Sequence, residues 1–268
     1  MTSASRPRSR APVTPQHLGA LGLGFYLLFV GLLLLSLFSY ADPAELAAAL
    51  FSPEVLFASG LSLVTATLAA SVSMLLAIPA GYLLAHRRLP PVLETLLDLP
   101  LVLPPIAVGM ALLVFFQTGL GEFIQQHTLR FVFTGAGIVL AQFTLTSGFA
   151  LRLVKTTFEG VDRRYETTAR TLGADRWQAF GHIALPMARN GVLATGVLTW
   201  ARAMGDFGAT VTLVGATAFK TETLPIAIFL NLSTAHIEGA IAVTLVLMGL
   251  SFATLLSFRS LAREERHP

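Results

Sequence analysis

Six stretches of the chain run for about twenty residues or more with almost no charge, and this repetition constrains the fold more than any other feature. They cover residues 18–40, 57–85, 96–117, 134–154, 191–214 and 237–258. A bilayer core needs ~20 mostly apolar residues per spanning helix. The series therefore predicts an all-α integral membrane protein with six transmembrane helices. Composition agrees, since 54% of residues are apolar, only 12% are charged and the mean hydropathy is +0.71. Soluble domains carry roughly a quarter charged residues. The first stretch exceeds the ~7–15 apolar residues of a signal-peptide core and lacks a convincing cleavage site, so it is read as a span.

Lys and Arg set the orientation. Arg6, Arg8 and Arg10 precede the first span, and Arg87 and Arg88 follow the second. Arg152, Lys155, Arg163, Arg164, Arg170, Arg176 and Arg189 cluster between the fourth and fifth, and Arg259, Arg263 and Arg266 follow the sixth. Six spans put these fifteen on one side, against Arg130 and Lys220 on the other. The positive-inside rule makes the basic side cytoplasmic, with both termini there. The same rule accounts for the sequence pI near 9.7 without nucleic-acid binding. The expected organisation is a cytoplasmic tail over 1–17, a membrane domain over 18–258 with a cytoplasmic loop at 155–186, and a second tail over 259–268.

Local chemistry adds detail. Pro100, Pro104 and Pro105 fall in the third span, where each removes a backbone donor and kinks or interrupts the helix. Such breaks persist in membranes only where protein or water satisfies the freed groups. The apolar run 221–230 is too short to span and reads as a short helix or re-entrant segment at the outer surface, with Pro225 in its first turn. Gly60, Ser62, Thr65, Thr67, Ser71 and Ser73 in the second span read as helix-packing residues. Arg202 and Asp206 stand four apart, so one helical face carries both, and an ion pair would lower the cost of holding charge in the membrane. Two roles fit them: Arg202 offers positive potential along a route for an anion, or the pair locks helix packing at a gate. Gly205 and Gly208 beside them permit close helix contact.

The cytoplasmic loop is polar but patterned. Asp162 suits the N-cap of a helix bearing Arg163, Tyr165 and Glu166, which runs to Leu172 and stops at Gly173. A second helix carries Trp177, Phe180 and Ile183 on one face, and Leu185-Pro186 ends it. Such a hairpin is either an amphipathic interfacial anchor or a docking surface for a partner.

This loop resembles the EAA loop of ABC importer permeases: Glu-Ala-Ala, three residues, Gly, nine residues, Ile, one residue, Leu-Pro. Here Thr167-Thr168-Ala169 occupies the triplet, Gly173 follows at the family spacing, and Ile183, Leu185 and Pro186 complete it. Thr167 stands where the family usually has Glu, and Glu166 lies one place earlier. Asp98-Leu99-Pro100-Leu101-Val102-Leu103-Pro104-Pro105 is similar to the third span of molybdate and tungstate permeases. Ala201-Arg202-Ala203-Met204-Gly205-Asp206-Phe207-Gly208-Ala209-Thr210 is similar to their Ala-Arg-Ala-Leu-Gly-Glu-Phe-Gly-Ala-Thr segment. Sulfate permeases share weaker versions.

The resemblance implies a type I ABC importer permease of a bacterial cytoplasmic membrane, not an enzyme. It implies an oxyanion substrate, molybdate or tungstate, with sulfate as the alternative. The ATPase would dock on Glu166, Thr167, Thr168, Ala169, Gly173, Trp177, Ile183, Leu185 and Pro186. The gate candidates are Pro104, Pro105, Arg202, Gly205, Asp206 and Gly208. A P-loop reads G-x-x-x-x-G-K-[ST], and the nearest approach, residues 215–221, lacks the second glycine. ATP and Mg therefore belong to a separate ATPase dimer. Six spans are half the usual permease complement, which implies a second copy of the chain, and a solute-binding protein outside would deliver the substrate. No cofactor or metal site is expected in this chain: it has no cysteine, and His127, His182 and His236 are scattered. An ion-coupled secondary transporter is the remaining reading, with Arg202 and Asp206 as its relay.

Overall fold

The computed structural model describes residues 15–40, 43–87 and 89–264. Arg6, Arg8, Arg10, Asp42, Arg88 and Arg266 lie outside them. Every regular element among the described residues is helical: α1 (Pro15–Tyr40), α2 (Pro43–Leu50), α3 (Pro53–His86), α4 (Pro91–Val102), α5 (Pro105–Phe115), α6 (Gly119–His127), α7 (Gly135–Glu159), α8 (Arg163–Thr171), α9 (Arg176–Ala179), a π-helical turn (Phe180–Ala184), α10 (Leu185–Met204), α11 (Gly208–Val214), α12 (Leu224–Ser233) and α13 (Ile237–Glu264). The apolar stretches of α1, α3, α7 and α13 are each long enough alone to cross a bilayer, and α4 with α5 forms a broken fifth candidate. The remaining expected span is α10 followed by α11, whose longer arm carries Arg189, Asn190 and Arg202.

The centre of the fold is α3 against α7. Ser52 caps α3 through a 3.3 Å bond from the Val55 N–H, and Pro53 supplies the preset first turn. Along α3 the buried residues are small: Ala58, Ser62, Ala66, Ala69, Ser73, Ala77, Gly81 and Ala85 recur every three or four positions. Lipid tails give helices no hydrophobic reason to associate, so close backbone approach carries the packing. A β-carbon at Gly81 would stand 2.7 Å from a methyl of Val154. Midway, the Ser73 and Thr146 hydroxyls share a buried 2.9 Å hydrogen bond. Ser62 and Thr65 are buried as expected, and Thr67 accepts from the Trp200 indole at 3.1 Å. Gly60 and Ser71 do not pack within the chain. Both are exposed, and nothing lies within 4 Å of where a Gly60 β-carbon would be.

Two expected spans are broken rather than merely kinked. The third is two helices of twelve and eleven residues meeting at 108°. Leu103 and Pro104 each precede a proline, which disfavours the helical basin. Both are extended, at ψ 139° and 138°, and Pro105 then opens α5. In the fifth, α10 stops at Met204, and Gly205 to Phe207 intervene before α11. The segment after α11 forms a short helix, as expected, and its first turn is buried. Leu224, Pro225, Ile226 and Ala227 of α12 are buried, and the Leu224 N–H donates to Ser62 Oγ at 2.8 Å. Its first turn inserts against α3 because Ser62 supplies the acceptor that a buried helix start requires.

Candidate coupling hairpin and translocation path

The loop between α7 and α10 folds as a hairpin of helices. Asp162 caps α8 by accepting the Arg164 N–H at 2.9 Å. At the other end the Ala174 N–H reaches the Ala169 carbonyl at 3.0 Å and the Gly173 N–H reaches Arg170 at 3.1 Å. These crossed bonds form a Schellman motif, which requires a left-handed residue, and Gly173 supplies it at φ +99°. Asp175 restarts the chain with a reciprocal capping box to Gln178.

Leu185-Pro186 does not end the second helix. The path from α9 continues through the π turn into α10, and Pro186 lies in the first turn of α10. A proline inside a regular α-helix clashes with the carbonyl four residues back. The wider π turn, in which the Leu185 N–H bonds to Phe180, relieves this. The hairpin's second arm is thus a continuous extension of α10. Trp177, Phe180 and Ile183 do not share one packed face. Trp177 is 80% exposed, while Phe180 and Ile183 are half-buried.

Glu166 is the pivot. It is buried, accepts the Tyr82 phenol at 2.5 Å and faces His86 Nε2 at 3.2 Å. His86 Nδ1 in turn meets the Tyr82 carbonyl at 2.9 Å. Burial of a carboxylate is tolerated because both of its oxygens have partners. Tyr82 also packs against Phe158 and Phe180, with ring centroids 5.4 and 4.7 Å away. Arg163 adds a bond to the Ala85 carbonyl. These contacts fasten the hairpin to the last turn of α3. Thr167, Thr168, Leu172 and Gly173 remain exposed, whereas Ala169 is half-buried.

Sequence reasoning missed Tyr82 and His86, and also a set of ion pairs. Arg152 meets Asp98 at 2.7 Å and Lys155 meets Glu94 at 3.1 Å, tying α4 to α7. Glu94 and Asp98 lie four apart on α4, and Arg152 and Lys155 three apart on α7. That matched spacing was the available signal.

Among the gate candidates, the structure joins Pro105 to Gly208. A β-carbon on Gly208 would stand 3.0 Å from Pro105, and one on Gly109 would stand 2.7 Å from the Ala209 carbonyl. Thus α5 and α11 touch backbone to backbone. Pro104 and Gly205 are exposed.

Arg202 and Asp206 do not form the expected ion pair. The helix ends between them, so the four-residue spacing no longer places them on one turn. Asp206 is buried and accepts the Thr210 N–H at 3.1 Å and its hydroxyl at 2.6 Å, capping α11. Arg202 is exposed, lies 5.4 Å from the centre of the Phe149 ring, and has no carboxylate within 4 Å among the described residues.

Residues 73–267 match the family described as binding-protein-dependent transport system inner membrane component. A probable molybdenum ABC transporter permease protein of Haloferax volcanii is 38% identical over 88% of this chain and 85% of its own. The sulfate transport system permease protein CysT of Escherichia coli is 31% identical over 90% of this chain and 91% of its own. In a crystal structure of a bacterial alginate ABC transporter bound to its periplasmic protein, one chain superposes with a TM-score of 0.72 at 16% identity, covering 94% of this chain and 95% of that one. That likeness establishes a shared fold. An ion-coupled secondary transporter is set aside, and the chain belongs to the binding-protein-dependent inner membrane components, the permease subunits of ABC importers.

Proposed function

We propose that the chain is the membrane subunit of an ATP-driven importer of an oxyanion, molybdate first and tungstate alongside it. The observation that carries the substrate is the 38% identity over most of the chain to a molybdenum permease, against 31% to a sulfate permease. Two copies assemble about a two-fold axis in a bacterial cytoplasmic membrane, both termini inside. A cytoplasmic ATPase dimer, which binds ATP and Mg, docks on the hairpins, and an external solute-binding protein delivers the anion.

The working cycle is alternating access. ATP draws the two ATPase subunits together, and the hairpins move with them. Glu166 and Tyr82 pass that motion to α3, while the continuous arm from Trp177 through Pro186 passes it to α10. The broken helices α4–α5 and α10–α11 then rearrange, with the Pro105–Gly208 contact as the moving joint. Arg202, exposed and with no carboxylate within 4 Å among the described residues, offers its charge to the passing anion. Weak, single-charge contact suits conduction, which requires release as well as entry.

Transport into right-side-out vesicles or ATP-loaded proteoliposomes that carry the complete complex, with the binding protein outside, tests the substrate. Molybdenum should accumulate only with ATP, and tungstate should compete at lower concentration than sulfate. Competition by sulfate alone would reassign the importer to sulfate.

A further inference from the structure

At the elbow where α3 meets the hairpin, a cavity of about 420 Å³ is lined by Arg87, Arg163, Arg170 and Arg176, with Glu166 as its carboxylate. Both oxygens of Glu166 are taken by Tyr82 and His86 rather than by any arginine. Arg163 donates to the Ala85 carbonyl. Arg87, Arg170 and Arg176 have no carboxylate within 4 Å among the described residues. The positive-inside rule explains basic residues on this side of the membrane but not their convergence on one cavity. Four arginines against one carboxylate give the cavity lining a net positive charge, which attracts an anion.

A second cavity of about 430 Å³ adjoins the first, sharing Tyr82, Leu83 and Arg176, and continues along Pro79, Trp177 and Phe180. Its lining is mainly apolar. Pro79 precedes His86 by seven residues on α3, so it lies about 10 Å further along that helix, toward the middle of its apolar span, at 1.5 Å per residue. Charge therefore sits at the membrane surface and an apolar groove below it. Trp177, 80% exposed beside both cavities, suits the headgroup level where aromatic rings collect.

We propose that this paired cavity binds an anionic phospholipid of the cytoplasmic leaflet, its phosphate among Arg87, Arg170 and Arg176 and an acyl chain along Pro79, Leu83 and Phe180. Basic pockets at the cytoplasmic ends of membrane helices recognise such headgroups. A small soluble anion would use the arginines and leave the groove empty. The lipid would brace the hairpin against α3 from the bilayer side. The inference rests on the proposed cytoplasmic placement of this face, and because Glu166, Thr167 and Trp177 of the proposed docking set also line the cavities, ATPase binding is read out separately from lipid.

The test uses the full chain, purified from nanodiscs of equal phosphatidylglycerol and phosphatidylcholine, with retained lipid identified by native mass spectrometry. The wild type should keep phosphatidylglycerol selectively. Arg87→Gln, Arg170→Gln and Arg176→Gln should each weaken retention about fivefold, the effect of one basic residue near a charged membrane. Arg130→Gln, which removes the same charge from the opposite side, should retain the lipid as the wild type does. Equal retention of both lipids by the wild type would overturn the proposal, whatever the variants do. So would displacement of the lipid by glycerophosphoglycerol, which lacks acyl chains, at equal concentration, since the site would then belong to a soluble anion. Arginine variants that lose ATPase binding while keeping the lipid would reassign the cluster to the protein interface and also overturn it.

Discussion

The phenol of Tyr82 donates a 2.5 Å hydrogen bond to Glu166, a residue 84 positions later. It joins the end of α3, long and apolar enough to cross a bilayer, to the first arm of the hairpin. Glu166 is thereby held inward, while its neighbours Thr167 and Thr168 stay exposed.

Removing only that hydroxyl isolates the link. Tyr82→Phe keeps the ring contacts with Phe158 and Phe180 and deletes a hydrogen bond to a charged group, worth about 1.5–3 kcal/mol. The variant should assemble with its ATPase and hydrolyse ATP, but the molybdate moved per ATP should fall about tenfold. The check is simultaneous measurement of uptake and phosphate release in proteoliposomes.

Gly173 tests the hairpin's turn. Its φ of +99° costs other residues roughly 1–2 kcal/mol. Gly173→Ala should weaken ATPase binding about 5–30-fold, the equivalent of that cost. Asn, which tolerates left-handed positions better, should lose less. Affinity for the isolated ATPase, measured by interferometry, separates the two.

Two glycines of α3 make opposite predictions. Gly81→Ala places a β-carbon 2.7 Å from Val154 and should destabilise the chain by about 1–3 kcal/mol through overpacking. Gly60→Ala meets nothing within 4 Å and gains helix propensity, up to about 1 kcal/mol. Thermal unfolding in detergent should show a lowered midpoint for the first and an unchanged or raised midpoint for the second.

Arg202→Gln removes the charge proposed to face the anion, at a residue with no carboxylate within 4 Å among the described residues. Uptake should fall about tenfold, equivalent to 1.4 kcal/mol, while ATPase affinity and thermal stability stay near wild type. A large loss of stability with normal specific uptake would instead assign Arg202 to packing against Phe149.

What could be read from sequence divides along physical lines. Helix existence was legible because apolar length alone decides it, and Asp162 and Gly173 were legible because caps depend on neighbours in the chain. The expected ion pair of Arg202 with Asp206 failed because a spacing argument assumes an unbroken helix, and Asp206 found a nearer donor in Thr210. Pro186 failed as a terminator because a π turn absorbed it, and no single residue type signals that turn. Tyr82 was invisible because nothing local marks a tyrosine as the partner of a glutamate on a distant element. The third span's prolines announced a break, but its 108° angle depends on α5 packing against α11.

Nucleotide-driven motion entering through the hairpin is the proposed step on which all the others depend. The chain has no cysteine, so Leu172→Cys, 84% exposed at the hairpin tip, gives one spin-label site per copy. Double electron–electron resonance on the assembled complex would report the distance between the two tips with and without ATP. That distance should shorten when ATP binds and recover after hydrolysis, and in Tyr82→Phe it should still shorten while molybdate moved per ATP falls. An unchanged distance in a complex that is actively transporting molybdate would contradict the account.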